Sequence, residues 1–255
     1  MDFSCGYDVF AAQLRPLEIG DFDVCRNIAR IASTVCDSWV DTINHYTSVQ
    51  SCSIEGGALA LLLKGANHPS VHICAICLRP LTRLMPLVPS LPLELLPVLQ
   101  RRAIIPHHLR GGKIDLDASD LCGVSIHDFH HFRLTVLSDA LLACWAKNDE
   151  HYMDSCTSAI EEFCGTMSSI DVSLQAEAAL FCIEQISLGV EGEKFQETFP
   201  ANKFMGRLVK ALLIKPPSVM SNTLTRESMC RLIHMVSYVF FCFRASLSRQ
   251  VLIFR

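Results

Sequence analysis

Apolar residues recur at every third or fourth position through residues 129–239, and polar and apolar neighbours almost never alternate there. This period places the apolar side chains on one face of a helix, whereas a half-buried strand would place them at every second position. A helix with one apolar face needs another helix to cover that face. The sequence therefore predicts an all-α chain in which successive helices pack against one another.

The same period predicts helices along the rest of the chain, separated by prolines, glycines and polar turns. Asp21 is the expected N-cap of the first helix, and Pro80 is expected to kink or split the third because it has no amide proton. A stiff connector is expected from Pro86 to Pro92, and a surface loop over residues 107–125. The predicted helices span residues 21–44, 54–64, 71–85, 93–105, 126–147, 149–164, 173–188, 204–213 and 225–244. In the fifth of them, the expected buried side chains are Phe129, Phe132, Val136, Leu137, Ala140, Leu141 and Cys144.

These helices form pairs that recur at intervals of about 40 to 50 residues, which is the period of HEAT and armadillo repeats. The pattern predicts a right-handed α-solenoid of HEAT/armadillo-like helix pairs, with about five repeats in residues 1–245. Residues 246–255 do not continue the pattern and are expected to form a tail outside the array. A solenoid of this kind usually holds another macromolecule along its extended concave surface.

Composition narrows the possible classes of function. The formal net charge is -4, which does not favour a broad basic surface for nucleic acid. No apolar run approaches the roughly 18 to 20 residues that a membrane helix needs, and the first residues lack the basic and apolar regions of a secretory signal. We therefore expect no direct nucleic-acid binding and no membrane insertion.

The 13 cysteines are scattered through the helical patterns rather than gathered in a loop-rich disulfide framework. Cys25, Cys144, Cys182 and Cys230 illustrate this placement, which predicts small buried side chains in a reducing compartment. The pair Cys74 and Cys77 has the CxxC spacing, but no second pair at metal-site spacing accompanies it. We interpret the pair as two buried cysteines on one face of a helix.

A histidine cluster opens the helix predicted over residues 126–147. His127 and His131 are four residues apart and so share a helical face that could hold a metal ion, while His130 points elsewhere. The HExxH pattern of zinc proteases is absent. We expect solvated histidines, and the sequence predicts no catalytic residue, metal or cofactor and hence no enzyme.

Three blocks of sequence stand out in their order and spacing. The first is Phe129–Leu142, in which Phe132-Arg133 is followed by Asp139. The second is Gln175–Ile186, which contains Glu-Ala-Ala-Leu-Phe-Cys-Ile-Glu-Gln-Ile. The third is His68-Pro69, which precedes an amphipathic helix. Together they resemble the middle of nuclear transport receptors of the importin-β superfamily, of the transportin-SR and importin-13 type. The resemblance covers roughly residues 15–240 of helical-repeat sequence.

The resemblance implies a karyopherin that shuttles between cytoplasm and nucleus, carries protein cargo through the nuclear pore, and releases imported cargo on binding Ran-GTP. It implies nucleoporins as further partners and proteins with arginine-serine domains as a class of cargo. Receptors of this type are several times longer, so we expect this chain to be an internal piece of one.

Acidic side chains are the candidate partner-binding residues. Asp115, Asp117 and Asp120 lie in the loop over residues 107–125, where the glycine and closing glutamate of a calcium loop are missing. Glu177 and Glu184 are two helical turns apart and are expected to form a solvated stripe on one face. These carboxylates would attract a basic cargo or Ran and would mainly raise the rate of association.

A second function remains open at this point. The same stacked helices would serve equally as a Ran-independent scaffold for a protein complex, because a helical-repeat surface is not specific to transport.

Overall fold

A computed structural model describes residues 22–45, 57–105, 125–165 and 170–189, together with residues 204, 206, 207, 210 and 230. All regular structure in these residues is helical and they contain no strand, which confirms the all-α class. The elements in chain order are α1 (Phe22–His45), α2 (Gly57–Ala66), α3 (Val71–Leu84), α4 (Leu91–Ala103), α5 (Ile126–Phe132), a π segment (Arg133–Leu137), α6 (Ser138–Trp145), α7 (Asp149–Gly165) and α8 (Ile170–Gly189).

The prolines have less effect on the helices than the sequence predicts. Helix α3 continues through Pro80, which is buried in the core, so the expected split is wrong. The connector is also shorter than expected, because α4 begins at Leu91 and holds Pro92 in its first turn. The missing amide proton of a proline costs little there, since first-turn amides have no partner within the helix. Asp21, the expected N-cap of α1, lies outside the described residues.

The chain divides into two compact units. Among the described residues, the first unit holds residues 22–45, 57–102 and 125–147, and the second holds residues 103–105, 148–165, 170–189 and the single residues from 204 onward. The division of the chain into a repeat region and a tail stays a prediction.

In the first unit, α1 and α3 run in the same direction. Cys36 of α1 lies beside Cys77 of α3. Further along both helices, Arg83 of α3 binds Asp37 and Asp41 of α1. Contacts therefore advance along both helices together. This is the arrangement of equivalent helices in neighbouring repeats of a stacked array.

The helix formed by α5, the π segment and α6 follows α3 in the same sense. Near its start, Asp128 lies beside His72 of α3. At its end, the thiol of Cys144 donates a hydrogen bond to the carbonyl oxygen of Pro92, 3.1 Å away. Pro92 lies in the first turn of α4, just after the short turn that follows the end of α3. Three helices of the first unit thus point one way, in the order α1, α3 and α5 to α6.

Helices α2 and α4 return in the opposite direction. Residues 67–70 join α2 to α3 in a tight turn, and this short connection makes the two helices antiparallel neighbours. The last turn of α4 reaches the same place, because Arg101 donates to the side-chain oxygen of Asn67 (3.1 Å) and Arg102 to the carbonyl oxygen of His68 (2.9 Å). Outgoing and returning helices therefore alternate, as they do in helix-pair repeats.

The contact between α2 and α3 is close enough to require a glycine. Gly65 is buried, and a methyl group added there would overlap the sulfur of Cys77 and lie 3.5 Å from its Cβ. The neighbouring Cys74 thiol donates to the carbonyl oxygen of Ala66 at 3.0 Å. Glycine at this position lets the two helices approach, and the two cysteines fill the space that remains.

We predict that Gly65→Ala lowers the free energy of unfolding by about 1–3 kcal/mol, because it overpacks a closed contact. Urea denaturation of the wild-type chain and the variant measures this change. Gly206→Ala is the matched control: it adds the same methyl group to a helix with nothing within 4 Å, so helix propensity should leave stability unchanged or raise it by up to about 1 kcal/mol.

A double-mutant cycle tests the cause. In the Cys77→Ala background, Gly65→Ala should cost less than it does alone, because the overlapping sulfur is gone. Equal costs in both backgrounds would show that the overlap with Cys77 is not the source of the penalty.

The turn between α2 and α3 contains a histidine that must stay neutral. The backbone amide of Ser70 donates to Nδ1 of His68, 3.0 Å away, so this nitrogen carries no proton. Burial and the nearby Arg102 guanidinium lower the pKa of His68. As the pH falls below about 6.5, the unfolded chain takes up this proton before the folded chain does, so acid destabilises the fold.

We therefore predict that the melting temperature falls between pH 7.5 and pH 5.5, and that His68→Asn makes the fall shallower. Asparagine can accept the same bond through Oδ1 and does not titrate. Thermal melts at several pH values measure the slope. His151→Asn, which removes an exposed histidine of α7, should leave the slope unchanged; an equal effect of both substitutions would contradict the assignment to His68.

The second unit contains a pair formed by α7 and α8. The hydroxyl of Tyr152 in α7 donates to the buried carbonyl oxygen of Cys182 in α8, 3.1 Å away. Residues 176–183 of α8 are all buried, so every face of the helix is covered over these two turns. Arg207 binds the carboxylates of Asp154 and Glu161 on the outside of α7. These hydrogen bonds raise the pKa of Arg207 and lower that of Glu161.

Candidate protein-binding groove

A groove of about 650 Å³ lies in the first unit, between α3 and the helix formed by α5, the π segment and α6. Its volume is in the range of sites that bind ligands or short peptide segments. We call it the α3 groove. Its lining residues are Val71, His72, Ala75, Arg79, Thr82 and Arg83 of α3, and Asp128, His131, Phe132, Thr135, Val136 and Asp139 of the opposite wall.

The π segment shapes that opposite wall. The backbone amide of Ser138 bonds to the carbonyl of Arg133, five residues earlier, where an α-helix would bond four residues earlier. Phe132 and Leu137 are accordingly both buried although they are five positions apart. Val136, expected to be in the core, is only half-buried and faces the groove instead. The extra residue in this turn rotates Val136 out of the apolar face.

Carboxylates mark the two ends of this wall. Asp128 closes the start of α5 in a capping box, in which its carboxylate accepts from the hydroxyl (2.7 Å) and the amide (3.2 Å) of Ser125. The Ser125 hydroxyl and amide lower the pKa of Asp128 below its usual value, and the nearby His127 and His72 act in the same direction. Asp139 is exposed at the start of α6. Both carboxylates are available to a partner that enters the groove.

The α3 wall carries two arginines that differ in their surroundings. Arg83 donates a hydrogen bond from one guanidinium nitrogen to Asp41 and from the other to Asp37, and these bonds raise the pKa of Arg83. Two carboxylates of α1 therefore more than neutralise its charge. Arg79 is exposed and forms no ion pair with another described residue. The charge order along the groove is thus negative at Asp128, positive at Arg79 and negative at Asp139.

The structure tests the acidic candidates only in part. Asp115, Asp117 and Asp120 lie outside the described residues. Glu177 is only 4% exposed, so the expectation that it belongs to a solvated stripe is wrong. Periodicity identifies which residues share a face, but residues 176–183 of α8 are buried on every face, and Glu177 is buried with them. Glu184, on the same helix, is half-buried.

The structure confirms most of the predictions for cysteines and histidines. Cys74 and Cys77 are both buried, as expected, and burial raises the pKa of both thiols, that of Cys77 to about 12. Seven of the eight cysteines in the described part of the chain are buried. Cys230 is exposed, so the prediction that it is buried is wrong. The apolar period shows which residues share a face of a helix but not whether that face is covered. The histidines His127, His130 and His131 are exposed, as expected.

Within the described ranges, no group of three or more histidine, cysteine, aspartate or glutamate side chains is placed to hold a metal ion. In the same ranges, none of the helices combines the length and apolar character that crossing a membrane requires.

Comparison with known proteins gave no match to a protein-family model, to a curated protein or to a solved structure.

Single-residue deletions test the role of the π segment. Deleting the exposed Leu134 should turn the π turn into an α turn without rotating the residues that follow, so we expect a cost of about 1 kcal/mol or less. Deleting the exposed Asp139 instead should rotate Ala140, Leu141 and Cys144 out of the core and cost about 3 kcal/mol or more. Urea denaturation of the two deletion variants measures the difference. Equal costs would mean that the π segment does not absorb a residue in this way.

Proposed function

We propose that this chain is a non-enzymatic binding protein that holds another protein along stacked helix pairs. More specifically, we propose that it is part of a nuclear transport receptor of the importin-β type, organised as an α-solenoid of HEAT-like repeats. In this proposal the full-length receptor shuttles between cytoplasm and nucleus, contacts nucleoporins, and imports protein cargo under the control of Ran-GTP.

The observation that supports a binding function is the alternation of outgoing and returning helices in the first unit. Helices α1, α3 and α5 to α6 point one way, while α2 and α4 return. Stacked helix pairs expose long inter-helix surfaces, and many modest contacts along them add up to useful affinity. The α3 groove is one such surface.

The transport proposal rests on the sequence blocks around Arg133, Phe181 and His68. Each block coincides with a packed part of a unit. Arg133 is buried in the π segment with its guanidinium 5.8 Å from the ring centre of Phe129. Phe181 lies in the buried stretch 176–183 of α8, and His68 lies in the turn that α4 contacts. The blocks therefore occupy positions at which one helix packs on the next.

A Ran-independent scaffold is the second candidate. It is favoured by the same helix stacking and by the α3 groove, neither of which requires a nucleotide-dependent partner. The two candidates differ in one property, because a transport receptor must distinguish the GTP form of Ran from its GDP form.

The deciding experiment is a pull-down with the immobilised full-length gene product that contains this chain, against Ran loaded with a non-hydrolysable GTP analogue or with GDP. We expect at least tenfold more Ran to be retained in the GTP form, because a receptor couples Ran binding to the nucleotide state. The same beads without the chain give the background.

Equal retention of the two forms, or none above background, would contradict the transport proposal. Retention of other proteins in the absence of any Ran preference would then favour the scaffold.

A further inference from the structure

We infer that the α3 groove binds an extended protein segment that has a basic residue at each end, about five positions apart, and an acidic or apolar centre. The inference deepens the proposed binding function, on which it rests, by stating what kind of segment the first unit would hold. It is carried by the order of charges in the groove and by the hydrogen-bond acceptors of its walls.

The order of charges in the groove determines which residues are favoured at the two ends of the bound segment. Asp128 and Asp139 are exposed on one wall and are eleven residues apart, about 16 Å at the 1.5 Å rise of a helical residue. A strand advances about 3.3 Å per residue, so an extended chain covers this distance in about five residues. A lysine or arginine at each end would meet one carboxylate. Arg83 does not oppose this, because Asp37 and Asp41 already bind it.

The centre of the groove selects a different residue. Arg79 lies between Ala75 and Thr82 on the α3 wall, and Phe132 and Val136 line the opposite wall of the same groove. A basic side chain at the centre of the segment would be repelled by Arg79, whereas an acidic one would be attracted and apolar neighbours would cover the apolar lining. The complementary order is therefore basic, acidic and basic.

The hydroxyl groups of the groove favour an extended rather than a helical segment. Thr82 donates its hydroxyl proton to the carbonyl of Leu78 (2.9 Å), and Thr135 donates to that of His131 (2.7 Å). Both hydroxyl oxygens can still accept a hydrogen bond. An extended segment has unpaired backbone amides that need such acceptors, whereas the amides of a helix are already paired within it.

The test uses the labelled hexapeptide Ac-RALELR-NH2 and fluorescence anisotropy with the whole chain. We expect binding that Asp139→Asn weakens three- to fivefold, the effect of removing one charge at the rim of an interface. Glu94→Gln, which neutralises an exposed carboxylate of α4 away from the groove, should leave the affinity unchanged. Circular dichroism and melting curves establish that both variants fold like the wild type.

A charge exchange at the centre gives a readout that a folding defect cannot imitate. Arg79→Glu should weaken the binding of RALELR and strengthen that of RALKLR, so the preference between the two peptides reverses. A structural role of Arg79 would weaken both peptides alike.

Three results would overturn the inference: no binding of RALELR, equal binding of the charge-reversed peptide EALRLE, or insensitivity of the affinity to both Asp139→Asn and Arg79→Glu. The result is independent of the Ran experiment. Ran-GTP retention without peptide binding would reject only the groove assignment, and peptide binding without Ran preference would reject only the transport proposal.

Discussion

Close packing around helix α3 is the constraint on which the first unit depends. Seven of its fourteen residues are buried, and they face neighbours on several sides. The α2 side requires Gly65, because only a residue without a side chain fits against Cys77. On the α1 side, Arg83 binds Asp37 and Asp41, and the remaining side faces the helix that includes the π segment. Each fully buried leucine or isoleucine contributes about 1.5–3 kcal/mol, so α3 fixes its neighbours mainly through apolar contact.

The π segment determines what the last of these neighbours presents to a partner. In a regular α-helix over residues 126–145, the 3.6-residue period would place Val136 on the apolar face, towards the core. One extra residue in a single turn keeps Leu137 and Leu141 in the core and releases Val136 and Thr135 to the groove. Irregular helical turns of this kind often occur at functional sites, and here the turn supplies both apolar surface and an acceptor.

The sequence predicted the helices well because their apolar period is long and regular, and the boundaries of α1, α3 and α7 follow it closely. It failed where the outcome depends on neighbours far away in the chain. Nothing local shows that residues 176–183 of α8 are covered on every face, so Glu177 was expected in solvent although it is buried. The sequence did not predict the groove for the same reason, because it lies between helices whose residues are some 55 positions apart. The apolar period alone also does not reveal the π turn that shapes the groove.

The ion pairs of Arg83 act on the α3 groove through its charge. Arg83 lines the groove, and Asp37 and Asp41 of α1 accept hydrogen bonds from its guanidinium. Exposed ion pairs add little to stability, so the main consequence of these two is electrostatic. They offset the positive charge of Arg83, whereas Arg79 on the same wall forms no ion pair with another described residue. Helix α1 contributes no lining residue to the groove, but its two carboxylates determine which arginine of the α3 wall presents a positive charge to a partner.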